Sequence, residues 1–346
     1  MISVGRGSRA WVGLDLGSYS VKLVALPPGG GRARVAEALV PRGSGPDDPP
    51  TPSVLAGLVD DCLARVDQSP RAVRGISIGV SGPDVIVKQV ALPLMDEGEI
   101  PGALRFEARK HLPFDVQSMV LDHQVLGRHP TERRLDILLA AVSQERLERA
   151  LRPLRELGIE ANIVDAAPLA LANSLAHASA RDPVAEGDVR LLLDLGHSGS
   201  WFAIRQRSQP FFTRRLSWGG AQLTHAVASA LGGSLEDADA WKLDPATSLA
   251  DPGPGAAAAR QAVELLADEL RRSLAYYGTL APLPDSLTLS ACGGTTRLGG
   301  LLTLLGEQLG VPVATFAPPD GADRGGRAPA GGPQFAQAYG LALRVA

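Results

Sequence analysis

One short pattern occurs twice in this chain. Residues 11–18 read Trp-Val-Gly-Leu-Asp-Leu-Gly-Ser and residues 191–198 read Leu-Leu-Leu-Asp-Leu-Gly-His-Ser. Each sets an aspartate near the end of an apolar run and a glycine two places later, as a buried strand entering a tight turn does. Two further β-like runs follow each copy: Val21 to Leu26 and Ala33 to Val40, then Trp201 to Arg205 and Pro210 to Leu216. A three-strand meander repeated with its aspartates 179 positions apart implies two similar halves, each on its own sheet. The length of 346 residues agrees, being more than twice the roughly 150 of an ordinary domain.

Between and after the copies the texture alternates helix and strand. A Pro/Gly/Asp loop at 41–52 precedes an amphipathic helix from Ser53 to Val66 and a core strand from Gly75 to Val80. From Asp84 to about Gly158 comes a small α/β insert, with a helix around Leu104 to His111, a strand from Asp136 to Val142 and a helix from Gln144 to Leu157. Val164 to Ala180 reads as one alanine-rich helix, and 182–188 as the hinge between halves. The second half holds helices at Gly219 to Leu231, Leu235 to Leu243 and Ala256 to about Leu280. A strand at Leu287 to Ala291, a helix from about Arg297 to Leu309, a Gly/Pro loop at 318–333 and a last helix to Leu343 follow.

Composition removes several classes of function. A net charge of −3 argues against a chain that neutralises nucleic-acid phosphates. Two cysteines, Cys62 and Cys292, build neither a disulfide framework nor a zinc site, which fits a reducing compartment. Residues 1–10 lack the apolar segment of an export signal, and no run reaches the roughly 18 apolar residues of a membrane span, so direct membrane insertion is not expected.

The repeated turn carries chemistry. Phosphate groups need close backbone N–H donors, hydroxyls, and carboxylates that hold hydrated Mg²⁺. Asp15, Gly17, Ser18 and Ser20 offer that set, and Asp194, Gly196, Ser198 and Ser200 offer it again. One such turn alone is an ordinary hairpin signal; two in matched contexts point to a shared phosphate cleft. Gly293–Gly294, between a buried strand and a helix, would let a flat purine lie against the backbone, although a close strand–helix crossing also asks for glycine there. Neither the dinucleotide fingerprint nor the Walker loop is present.

The order phosphate turn, insert, phosphate turn, Gly-Gly turn resembles the actin, hexokinase and heat-shock ATPase superfamily. Within it, Gly13 to Val24, His111–Leu112–Pro113–Phe114, Leu121 to Leu126, Gly219 to Thr224 and Gly293–Gly294 resemble the PilM family of type IV pilus assembly. That resemblance implies an α/β, actin-like (ribonuclease H-like) two-lobed fold. The first lobe would span 9–182, with the insert at about 84–158, and the second 183–346, with a helical part at about 220–282. It implies ATP and Mg²⁺ as ligands. Asp15, Gly17, Ser18, Tyr19, Ser20 and Lys22 would form one phosphate site, and Asp194, Gly196, His197 and Ser198 the other. Asp15 and Asp194 would hold the metal. Asp239 and Lys242 would reach the ribose, and Gly293, Gly294 and Arg297 the adenosine. It implies an adaptor that docks the cytoplasmic tail of a PilN-like inner-membrane pilus protein between the first lobe and its insert, where stretches around Leu112 to Phe114 and Val120 to Leu126 could help form the groove. Pilus motor ATPases are a further partner class, and the place of work would be cytoplasmic, peripheral to the inner membrane. Two departures stand out: Ala167 where an acidic residue is common, and His197 where a smaller one is. The competing expectation is the cytoplasmic module of a type II secretion system, a scaffold without nucleotide. A sugar or acetate kinase lacks a candidate catalytic aspartate between the turns. The histidines 111, 123, 177 and 225 show no metal-ligand spacing, the four tryptophans suit packing, and Arg146, Arg149, Arg152 and Arg155 suit a solvated helix face.

Overall fold

A computed structural model describes residues 9–29, 31–41, 50–179, 189–206, 211–318 and 331–346. Residues 1–8, the expected hinge at 182–188 and most of the loops at 41–52 and 318–333 lie outside the described residues.

The first meander is β1 (Trp11–Leu16), β2 (Ser20–Leu26) and β3 (Arg34–Leu39), antiparallel throughout, with Asp15 opposite Lys22. α1 (Pro52–Arg65) starts where Thr51 accepts a hydrogen bond from the Val54 amide and proline fills the first turn. Its apolar stripe of Val59, Cys62 and Leu63 covers the sheet. β4 (Gly75–Val80) is buried at every position and runs parallel to β1, as a strand covered on both faces must.

The chain then leaves the sheet. β5 (Val85–Pro93), α2 (Ile100–Ala108), β6 (Met119–His129) and β7 (Arg134–Ser143) form the insert, an antiparallel sheet in the order β5-β7-β6 with its own core of Ile100, Leu104, Leu135 and Ile137. α2 begins at Ile100, earlier than expected, because Pro101 is tolerated in a first turn. α3 (Gln144–Glu156), capped by Ser143, packs back on α1.

The expected single helix from Val164 to Ala180 is two elements: β8 (Ile163–Ala166), parallel to β4, and α4 (Ala167–Ser179). Alanine propensity favours helix, but pairing with Ser77 to Val80 decides the first four residues.

The second half repeats the plan. β9 (Val189–Leu195), β10 (Ser200–Gln206) and β11 (Phe212–Leu216) form the meander. α5 (Gly220–Leu231), α6 (Leu235–Leu243) and α7 (Pro254–Gly278) follow, then β12 (Leu289–Cys292), α8 (Leu301–Leu309) and the short β13 (Val313–Thr315). The sheet orders β3-β2-β1-β4-β8 and β11-β10-β9-β12-β13 match strand for strand. α9 (Ala336–Leu343), expected with the second half, packs instead on α4 and the first sheet. A Cβ on Gly340 would lie 1.8 Å from the Ala170 carbonyl oxygen, so that crossing admits only glycine.

Each half buries its own apolar cluster, and a third cluster is shared. There Val80, Val85 and Leu171 meet Leu192, Trp201 and Cys292. Polar bonds reinforce the seam: Trp201 Nε1 donates to Ser81 Oγ at 2.9 Å and Thr213 Oγ1 to the Val87 carbonyl at 2.9 Å.

Candidate functional site

β1 and β4, like β9 and β12, are parallel, so their carboxyl ends rise together. Asp15 and Asp194 sit near those ends, and the two turns that follow face one cleft of about 510 Å³ between the halves. Open α/β sheets bind ligands at this edge, because the loops there are free to vary while the strands hold them in place. Asp15, Gly17, Ser18, Tyr19, Ser20, Lys22, Asp194, Gly196, His197, Ser198, Asp239, Lys242, Gly293, Gly294 and Arg297 all line this cleft.

The two turns differ in charge. Lys22 Nζ lies 3.3 Å from Asp15 Oδ2, and Gln337 Nε2 of α9 donates to Asp15 Oδ1 at 3.0 Å. At the matching place opposite Asp194 stands Trp201, not a lysine. Among the described residues the cation that acts on Asp194 is Lys22, from the other half. Burial, and then the charge of Asp15, push its carboxyl up to about 6, while Lys22 and the Cys292 thiol pull the other way. Lys22 thus serves both carboxylates. Two repelling carboxylates with one lysine between them suit a divalent cation that also takes oxygens from water and phosphate. Among the described residues no group of three or more His, Cys, Asp or Glu gathers to hold a metal by itself.

The second half supplies the rest of the wall. Lys242 Nζ lies 3.0 Å from Asp239 Oδ1 and donates to the Gly220 carbonyl at 3.0 Å, while Thr224 Oγ1 donates to the same Asp239 oxygen at 2.7 Å. The i, i+3 spacing on α6 puts the acid and the lysine side by side. Gly293 has φ +92°, and a Cβ there would meet Asp194 Oδ1 at 2.5 Å; a Cβ on Gly294 would meet nothing within 4 Å. The first glycine is required by the chain's own packing and the second opens on the cleft. Tyr19 and His197, one from each turn, bring their rings to 5.1 Å across the gap.

The cleft also holds residues that spacing did not single out: Glu37, Arg146, Arg149, Arg215 and Gln337. Arg146 and Arg149 belong to the row read as a solvated face. Arg149 and Arg155 do pair with glutamates on α3, but Arg146 turns inward to Asp84 and to the Ser81 carbonyl. Ala167 is fully buried in the shared core and does not line the cleft. Trp11, Trp201 and Trp218 pack, with Arg74 over the Trp11 ring at 4.7 Å and Trp218 Nε1 bound to the Ala262 carbonyl.

A second hollow of about 450 Å³ lies between the insert's sheet and the first half, lined by Val120, Asp122 and Gln124 of β6, Leu138 of β7, Val164 and Asp165 of β8, and Arg344. Leu112, by contrast, fills the insert's core. Asp165 is 6% exposed, and its Oδ2 lies 3.1 Å from Arg344 Nε, off the line of the N–H, so that oxygen has no hydrogen bond. Burial raises its pKa against the pull of Arg344. No helix among the described residues is long and apolar enough to cross a membrane.

Comparison with known proteins agrees with this architecture. The family described as Type IV pilus assembly protein PilM matches residues 13–346. A solved structure of a PilM–PilN type IV pilus biogenesis complex is similar at 26% identity and TM-score 0.81, covering 98% of this chain and 99% of that one. The ethanolamine utilization protein EutJ from Carboxydothermus hydrogenoformans, at 16% identity and TM-score 0.57, covers 96% of this chain and 89% of its own, and shares the fold. The fold is actin-like, and the match falls on pilus assembly rather than on the type II secretion alternative.

Proposed function

The chain belongs to the PilM family of type IV pilus assembly proteins, and from that membership we propose that it is an ATP-binding adaptor which joins an inner-membrane pilus protein to the assembly machinery. The observation that carries the nucleotide reading is convergence: two Asp-Gly turns, the Asp239–Lys242 pair and the Gly293–Gly294 turn come from distant sequence to one cleft. Phosphate oxygens would meet the turn amides and Lys22; Asp15 and Asp194 would hold Mg²⁺; Asp239 and Lys242 would take the ribose, and Gly294 and Arg297 the purine. When bound, the metal would supply positive charge beside Asp194, which faces Trp201 where Asp15 faces Lys22. Turnover is not needed. A ligand touching both halves favours whichever angle lets it touch both, and that difference in affinity is the signal.

The hollow beside the insert is the proposed seat of the partner's tail, by analogy with the PilN-bound relative. Recruitment to the inner membrane would then come from the partner, with pilus motor ATPases as further contacts of the assembled machine.

Calorimetric titration of the chain with ATP and Mg²⁺ tests the nucleotide reading. Lys22→Ala should weaken binding by about 1–3 kcal/mol, the scale of a charge-assisted hydrogen bond. Equal affinity in the variant and the parent would remove this site from consideration.

A further inference from the structure

We propose that the seam where Arg215 of β11 meets Arg146 of α3 is a phosphate subsite of the cleft, one that reads the terminal phosphate of a bound nucleoside triphosphate. This rests on the nucleotide reading above and adds to it what distinguishes triphosphate from diphosphate.

The argument begins with charge that is not balanced. Arg215 is half-buried in the cleft wall, donates from Nη2 to the Ser198 carbonyl at 3.2 Å, and forms no ion pair with a carboxylate among the described residues. The nearest acid of the seam is already engaged: Asp84 accepts from Arg146 Nε and from Ser143 Oγ. One carboxylate therefore faces two guanidiniums. Burial first, and then the field of Arg146, disfavour the charged form of Arg215 against the pull of Asp84, as expected where two cations share one acid. A half-buried guanidinium without an acid is costly unless an anion visits, and its planar fork suits phosphate oxygens.

Position gives the anion its identity. The carbonyl that Arg215 touches belongs to Ser198, in the second Asp-Gly turn. The one that Arg146 touches belongs to Ser81, just past the end of β4, which lies beside β1 and its Asp15. The two arginines thus line the cleft beside its two Asp-Gly turns. They also come from different halves, and Trp201 Nε1 on Ser81 Oγ closes the same seam. An oxyanion between them draws the halves together; a diphosphate, one phosphate shorter, leaves them unbridged. Arg146 sits in the first turn of α3, whose cap Ser143 ends the insert's β7. What happens at this seam therefore reaches the sheet that lines the second hollow.

The test compares ligands on the full chain: ATP, a non-hydrolysable triphosphate analogue, ADP, and ADP with inorganic phosphate, each with Mg²⁺. Arg215→Gln should lower affinity for both triphosphates about tenfold, a charge-assisted contact, and leave ADP within about twofold. Arg146→Gln should act in the same direction. Arg152→Gln, which does not line the cleft, is the control. If phosphate alone strengthens ADP binding in the parent and not in Arg215→Gln, released phosphate occupies the same place. Thermal melts guard against misfolding, and Arg215, with a single carbonyl contact, is the variant least exposed to it. Equal losses for ATP and ADP, or no loss in either variant, would overturn the proposal. A parent chain that binds neither nucleotide would instead overturn the reading on which it stands.

Discussion

Asp194 is buried in the cleft wall and faces Trp201 where Asp15 faces Lys22, and that position has a thermodynamic cost. Its folded pKa of about 6 is raised above the 3.8 of an unperturbed aspartate, mainly by burial. The native state therefore holds the proton more tightly, and stability falls as pH rises from about 4 to about 6, with the cost complete above that range at about 3 kcal/mol. Asp194→Asn should remove the cost. Without nucleotide or divalent metal, the variant should melt higher than the parent at pH 7.5, with the gap closing near pH 4, while Mg-ATP binding is lost; a gap equal at both pH values would contradict this origin. The trade of stability for a site is the usual one. Asp194 was visible in the sequence because the turn pattern is local, and so were the residues carried by that pattern or by the double glycine, whereas Asp239 and Lys242 came only with the family resemblance. Arg215 and Arg146 were not. Each sits in a row of arginines, Arg214–Arg215 and Arg146 to Arg155, of the kind an outer face carries, and only the fold brings them to one cleft. The replacement of Lys22 by Trp201 in the second copy was readable in principle, once strand register made position 22 the counterpart of 201.

β6 shows how a stretch can be noticed for its apolar residues while its element and its role stay hidden. Its period-two alternation of exposed and shielded residues marks a strand, and it is an outer strand of the insert's sheet. Yet whether Val120 belonged to the insert's core or to a groove depended on β8, which the alanine-rich run concealed. β13 was missed for a related reason: three residues carry too little pattern, and parallel pairing with β12 makes the strand. With both edges placed, Val120, 38% exposed, and the shielded carboxylate of Asp165 face one hollow. An apolar tail should be lost if a charge is planted there. Liposomes bearing a tethered tail of a PilN-like partner should sediment the parent chain and not Val120→Glu, and bare liposomes should sediment neither. Retention of Val120→Glu on the tail-bearing vesicles would place the docking surface elsewhere.

The duplication itself was the most legible feature, because two meanders with the same turn admit few other arrangements, and the matched sheet orders follow from it. The exception is α9, which follows the second sheet in sequence and packs on the first. Helical periodicity announces a buried helix without saying which sheet buries it. Gly340→Ala tests that contact: the added methyl meets the Ala170 carbonyl, and overpacking of this kind costs about 1–3 kcal/mol. Urea denaturation should show a lower midpoint with an unchanged slope; an unchanged midpoint would mean that α9 gives way freely. The crossing of α4 and α9 has a mechanical consequence. The backbone passes between the halves twice, once after α4 and once before α9, and these two helices are clasped where Gly340 meets Ala170. A helix crossing this close resists sliding of one helix along the other more than it resists rotation about the contact, much as a pin does in a door hinge. An element that can turn there but not slide passes on a disturbance as a change of angle.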